Sequence, residues 1–256
     1  MNRQFPFAAT LETIGDQAFF LRSFIRSTFR TGFELNEFSR QSYFIGYRSI
    51  GIILLTGFIL GIVLTIQSQP TLKEFGAESF IPSMVAISVI REICPVIVGL
   101  ICAGKIASGI GAELGSMKVT EQIDAMEVSG ANAVQFLVVP RILACMLMIP
   151  VLTIVADAVA IFGGFIATTF YSDMTFKLYF LKATSSLRFS DIVPAIIKTI
   201  LFGFAIGFSG CWNGFNAIHG TESVGRAANK AVVTASVAII VLDAIVVQFT
   251  KWIVYS

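Results

Sequence analysis

Charge is scarce in this chain: 13% of its 256 residues are Asp, Glu, Lys or Arg, 55% are hydrophobic, and the mean hydropathy is +0.82. A water-soluble domain needs a far more charged surface, so an ordinary cytosolic enzyme is excluded. Histidine is scarcer still. The single His219 cannot supply a ligand pair, and no H-E-x-x-H is present. No Ser-His-Asp set is compelling either, because hydroxyls in apolar spans usually serve helix packing. Cys94, Cys102, Cys145 and Cys211 all fall in apolar stretches without C-x-x-C spacing, so they read as small buried residues and no metal site is expected. An excess of one charge sign is also lacking. With 18 basic against 16 acidic residues the net charge is +2, too small to call for a nucleic-acid partner. The N-terminus reads as neither a secretory nor a transit-like leader, and Asn2 stands where N-myristoylation requires glycine.

Long apolar runs are abundant, with 24 Phe, 21 Gly and seven Pro among them. A hydrocarbon core of about 30 Å takes about 20 apolar helical residues. Against that length the sequence predicts an all-α integral membrane protein with about five transmembrane helices. The first lies in the 24 uncharged residues between Arg48 and Lys73, closed by Pro70. The second runs from about Phe80 to Gly111, interrupted by Arg91 and Glu92. The third runs from about Ile142 to Tyr171 with Asp157 inside, the fourth from Ile192 to Trp212, and the fifth from Ala231 to Thr250 with Asp243 inside. The chain divides into an N-terminal interfacial region, 1–40, and a transmembrane domain, 41–256.

Five spans put the termini on opposite sides. With the N-terminus inside, eleven Lys and Arg fall in cytoplasmic segments (Arg3, Arg22, Arg26, Arg30, Arg40 and Arg48 before the first span) and five in outer ones. That bias predicts a cytoplasmic N-terminus and an outer C-terminus. Ahead of the spans, Leu11, Ile14, Ala18, Leu21, Ile25 and Thr28 recur three and four apart while Arg22, Arg26 and Arg30 share another face. This pattern reads as an amphipathic helix in the membrane interface, or as a helix for a soluble partner. The aromatic and basic segment 171–191 reads as a second, partly interfacial connection on the outer side.

Glycines one turn apart at Gly57/Gly61, Gly203/Gly207 and Gly210/Gly214 mark places where helix backbones can approach closely. The run from Gly99 to Gly104-Lys105 satisfies G-x-x-x-x-G-K. However, Ile106 stands where a Ser or Thr hydroxyl should hold Mg²⁺, and the context is a membrane helix rather than a strand, so it is not read as a nucleotide loop. The segment from Glu113 to Glu127 carries four acids and one lysine. Val119, Ile123 and Met126 form an apolar face, and Glu121, Asp124 and Glu127 fall on another. It reads equally as a solvated loop helix or as a docking helix for a basic groove. Each charge at the bilayer centre costs about 2.5–3.5 kcal/mol, so Arg91 and Glu92 are either functional or a structural pair at a helix break. Asp157 and Asp243 pose the same choice: they suit an ion-coupled secondary carrier, or they face the bundle.

Several motifs together resemble one family. They are Arg91-Glu92-x-x-Pro95, Ala103-Gly104-Lys105, Ala112-Glu113-x-Gly115-x-Met117, Glu121-Gln122-Ile123-x-Ala125-Met126-Glu127, Pro140-Arg141 and Gly220-Thr221-Glu222-x-Val224-Gly225-Arg226-Ala227. From about Phe38 to the C-terminus the chain resembles the MlaE/YrbE permeases of MCE-associated ABC transporters. At 220–225 it has Gly-Thr-Glu-Ser-Val-Gly where many members have Gly-Ala-Glu-Gly-Val-Gly. The resemblance implies a non-enzymatic permease homodimer in a bacterial cytoplasmic membrane that moves lipid, commonly phospholipid. It also implies two cytoplasmic ATPase subunits that bind ATP and Mg²⁺, and an outer-side MCE-domain protein. It makes the segment holding Glu113, Met117, Lys118, Glu121, Gln122, Asp124 and Glu127 the ATPase-coupling helix, between spans two and three. Glu222 and Arg226 mark the second cytoplasmic loop, and Arg91 becomes the candidate lipid-headgroup contact.

Overall fold

The computed structural model describes the backbone of residues 6–29, 34–172, 174–218 and 220–254, with side chains given between 15 and 252 of that set. Arg3, Arg30 and His219 lie outside the described residues, as do the side chains of Leu11 and Ile14. Eight helices and no strand occur among the described residues: α1 (Pro6–Thr28), α2 (Leu35–Glu74), α3 (Glu78–Val119), α4 (Gln122–Val128), α5 (Val134–Thr169), α6 (Phe176–Ser185), α7 (Phe189–Phe215) and α8 (Thr221–Val254). Of these, α2, α3, α5, α7 and α8 are long and apolar enough to cross a membrane, so the protein is a multi-pass, all-α membrane protein. The expected boundary at residue 40 falls inside α2. That helix has 40 residues, about 60 Å at 1.5 Å each, twice a bilayer core, so its first turns stand outside the hydrocarbon. Pro70 does not close it. Only the last turn follows the proline, so one missing N–H costs little there, and the helix continues to Glu74.

All three glycine pairs lie at crossings between helices of this chain. A Cβ on Gly61 would sit 1.8 Å from the Ala160 carbonyl oxygen, and one on Gly57 2.8 Å from that of Ala156, so α2 meets α5 backbone to backbone. Gly203 and Gly207 press on Cys145 and Ile142 of α5, and Gly210 and Gly214 on Ile110 and Leu114 of α3. Around these crossings Ile53, Ile142, Ile149, Leu152, Phe202, Ile206 and Ile239 are fully buried. Without water to drive helix association, such close approach supplies the van der Waals contact that holds spans together.

The amphipathic helix α1 turns only part of the three-four face to the protein, with Leu21 packed on the core. Phe20 sits among Phe208, Trp212 and Phe215 of α7, with ring centroids 5.4–5.7 Å away, and Phe24 lies 6.1 Å from Phe204. The expected Ala18 and Ile25 point outward beside Phe19, which is 73% exposed. Both faces are apolar, one packed on α7 and one left for surroundings. At the opposite end of the bundle α6 packs on the start of α3, where Lys182 Nζ donates to the Ser79 carbonyl (3.1 Å) and the Ser83 hydroxyl to the Lys182 carbonyl (3.1 Å). Burial among Phe165 and Phe180 pushes the Tyr179 phenol up.

Candidate functional site

Arg91 and Glu92 do not break the second span. They occupy a π-helical turn, Val89–Ile93, that keeps α3 continuous while shifting its register, a feature frequent at functional sites. Two turns of sequence logic meet there. Pro95, just beyond this turn, has no N–H to give the helix. Lys198 of α7 reaches the turn from the side, with Nζ donating to the Arg91 carbonyl at 3.2 Å. The same ammonium lies 2.8 Å from Glu92 Oε2 and 2.8 Å from Asp243 Oδ1 of α8, and its side chain is only 3% exposed. One lysine thus ties together three spans.

The Arg91 guanidinium reaches Asp191 in the first turn of α7, with Nε donating to Oδ1 at 2.9 Å and Nη2 bonding the same oxygen. Asp191 is itself fixed, because its Oδ2 accepts the Arg188 backbone N–H at 3.0 Å and its charge sits at the favourable N-terminal end of the helix. The two ion-paired sets border one cavity of about 110 Å³, whose wall also holds Lys251. Sharing Ser190, Pro194 and Thr250 with it, an apolar groove of about 560 Å³ runs between α7 and α8, walled by Val193, Ile197, Leu201, Ile245 and Phe249. Charge at one end and an apolar trough beside it make an amphipathic receptor: the cavity suits a charged head and the groove a hydrocarbon chain.

Asp157 stands apart. It lies against Cys94, and its Oδ1 is buried without a hydrogen-bond partner. The structure therefore keeps Asp157 apart from Asp243, which sits on Lys198. Lys198 and Asp191 are the residues that sequence reasoning passed over. A signal for Lys198 was present, since two acids in spans two and five require a buried cation and this lysine lies nine residues inside α7.

The acidic segment 113–127 is two helices rather than one. At the end of α3 the chain turns at Thr120 and Glu121, where Glu121 takes a left-handed conformation (φ 59°), and α4 follows over Gln122–Val128. The expected single face is thereby split: Glu113, Met117 and Lys118 belong to α3, and Gln122, Asp124 and Glu127 to α4. Buried Ile123 pins the elbow, and Lys118 pairs with Asp124 across it. Glu113, itself half exposed, pairs with Arg141 at 2.8 Å, whose side chain is 2% exposed and also donates to the Leu137 carbonyl at 2.7 Å. Glu121, Gln122 and Glu127 remain exposed. In the second loop Glu222 and Arg226 form an exposed pair at 3.8 Å, one turn apart at the start of α8. The Gly99 to Lys105 run is helical within α3, not a phosphate loop.

Compared with known proteins, residues 38–249 match the family model described as Permease MlaE. A probable ABC transporter permease protein of Rickettsia typhi is 32% identical over 237 residues, 93% of this chain and 92% of its own. The intermembrane phospholipid transport system permease protein MlaE of Haemophilus influenzae is 32% identical over 205 residues, 80% of this chain and 78% of its own. A probable ABC transporter permease protein of Synechocystis is 31% identical over 216 residues, 84% of this chain and 81% of its own.

Proposed function

The chain belongs to the MlaE permease family, and from that premise we propose that it is the membrane-spanning subunit of an ABC transporter that carries phospholipid between the inner membrane and an outer-side MCE protein. The observation that carries this reading is the charged cavity of Arg91, Glu92, Asp191 and Lys198 opening beside the apolar groove between α7 and α8. A phospholipid presents that same combination. The phospholipid transport named for the Haemophilus influenzae relative supports the substrate class. Arg91, whose side chain is 37% exposed at the cavity, is the headgroup contact, and Lys198, at 3%, positions Glu92 and Asp243 around it.

In this reading ATP and Mg²⁺ are bound by separate cytoplasmic ATPase subunits, and this chain, as a homodimer, has no catalytic residue of its own. The elbow between α3 and α4 docks on the ATPase through Glu121, Gln122 and Glu127. The Lys118–Asp124 and Glu113–Arg141 pairs stiffen it, so movement of the ATPase is passed into α3 and α5. The N-terminus and the elbow are cytoplasmic, and the charged cavity and the C-terminus face the periplasm of a bacterium.

The test is purification of the intact complex in mild detergent, with identification of co-eluting proteins and lipids before and after ATP hydrolysis. Phospholipid and an ATPase should co-elute, and hydrolysis should release the lipid. Arg91→Gln should lower lipid occupancy without loss of assembly, and Glu121→Lys should lose the ATPase while the chain still inserts. Lipid content indifferent to Arg91→Gln and to nucleotide, or transport by the isolated chain driven by an ion gradient, refutes the proposal.

A further inference from the structure

A second cavity, of about 390 Å³, opens where the first turns of α2 pass the second π-helical turn of α3, Ala103–Ala107. Arg40, Arg48 and Lys105 bring three cations to it. The acid in its wall, Glu113, is turned onto Arg141, and among the described residues neither Arg48 nor Lys105 lies within ion-pair distance of a carboxylate. Lys105 instead donates to the Arg48 carbonyl, which holds the two basic positions together, and Arg48 rests over the Phe44 ring at 4.6 Å. Ser49, 1% exposed, also lines the cavity, and its hydroxyl has no hydrogen-bond partner. A buried hydroxyl left without a partner is costly unless something arrives to bond it. Across from it, a Cβ added to Gly109 would meet nothing within 4 Å, so space is open there.

The depth of this cavity identifies its occupant. Tyr43 and Tyr47 stack on the outer surface of α2 at 5.1 Å, Tyr47 being 67% exposed, as aromatic side chains do at the membrane–water boundary. Charge ends at Arg48, and the exposed apolar residues Ile52, Leu55 and Ile59 continue along the helix from the same side as Arg48. Cations and an unmet hydroxyl at headgroup level, with an apolar track leading into the bilayer, match an anionic amphiphile. We propose that the α2–α3 cleft binds the phosphodiester headgroup of an anionic phospholipid, with Arg48 and Lys105 on the phosphate and the Ser49 hydroxyl donating to it. Basic pockets between spans on a cytoplasmic face hold acidic lipid headgroups by this chemistry. Arg91 and Lys105 are fourteen residues apart on α3, about 21 Å along its axis, so this site is separate from the charged cavity at the other end. It stands whether or not that other cavity carries a transported lipid.

The full-length chain in nanodiscs, offered photoactivatable phosphatidylglycerol or photoactivatable phosphatidylcholine, tests the assignment. Cross-linked peptides are mapped by mass spectrometry. Phosphatidylglycerol should label residues 40–49 and 105–113 in preference to phosphatidylcholine. Arg48→Ala with Lys105→Ala should cut that preference about thirtyfold, at about fivefold per charge near the surface. Arg48→Lys with Lys105→Arg, which keeps both charges and guards against a folding defect, should retain most of it. Ser49→Ala should weaken labelling without changing the yield of folded protein. Equal labelling by the two lipids, or a preference unchanged in the double alanine variant, overturns the proposal. Loss of labelling on addition of free glycerol phosphate overturns the lipid in favour of a soluble phosphate. Arg91→Gln should leave this labelling unchanged, so failure here and failure of the transport reading are told apart.

Discussion

Replacing Lys198 by Met removes the one cation that joins Glu92, Asp243 and the Arg91 carbonyl, while leaving a side chain of similar length in its place. Because the volume is nearly kept, the loss is electrostatic rather than a cavity. Two carboxylates that each stood 2.8 Å from the ammonium are left without it, and the Arg91 carbonyl loses its 3.2 Å donor. Breaking the buried pair with Asp243 costs about 3–5 kcal/mol, while Glu92, 47% exposed, adds little because solvent screens it. The unmet carbonyl draws on the same desolvation and is not simply added, so the expected destabilisation is about 4 kcal/mol. At about 2–4 °C per kcal/mol for a chain of this size, the midpoint of thermal unfolding should fall by about 10 °C. The assay is heating in mild detergent followed by size-exclusion chromatography of what stays folded. A triple variant, Lys198→Met with Glu92→Gln and Asp243→Asn, should recover most of the loss, because exchanging a whole buried ionic group for neutral isosteres is close to neutral. Were the triple variant no more stable than Lys198→Met alone, the cost would not arise from stranded charge and the reasoning about this group would be wrong.

Two further outcomes test the packing. Gly61→Ala drives a methyl into the Ala160 carbonyl and should cost about 1–3 kcal/mol or more in the same assay, whereas Gly51→Ala on the same helix, where a Cβ meets nothing, should be neutral to slightly stabilising. Phe20→Ala removes the ring that seats α1 among Phe208, Trp212 and Phe215 and should cost about 3 kcal/mol of docking, read as faster tryptic cleavage after Arg22 and Arg26, while Phe19→Ala on the exposed side should leave the cleavage rate unchanged.

The spans could be read from the chain because the physics that selects them is local: a run either is or is not apolar enough to fill a hydrocarbon core. The same holds for the three glycine pairs, since glycines one turn apart on a span mark a close approach, although a lone one such as Gly51 does not. What such a pair does not announce is the neighbour. That Gly61 meets Ala160 and Gly210 meets Ile110 depends on the order in which five helices pack, and nothing within either helix encodes that order. Arg91 and Glu92 stood out as costly charges, yet their partners are about a hundred residues away, on α7, in Asp191 and Lys198. Each of those two is unremarkable alone: an acid in the first turn of a helix, and a lysine two turns further in. Their ion pairs link them to Arg91 and Glu92 on α3, and the need of those two charges for partners can be stated from sequence while the partners cannot. The elbow shows the opposite limit. The spacing of Val119, Ile123 and Met126 suits one helix, but a single left-handed residue at Glu121 divides it, and a glutamate gives no local warning of that conformation. For α1, Phe19, Phe20, Phe24 and Ile25 offer two apolar faces of similar strength, so periodicity found the helix and the rings of α7 decided which face turned inward.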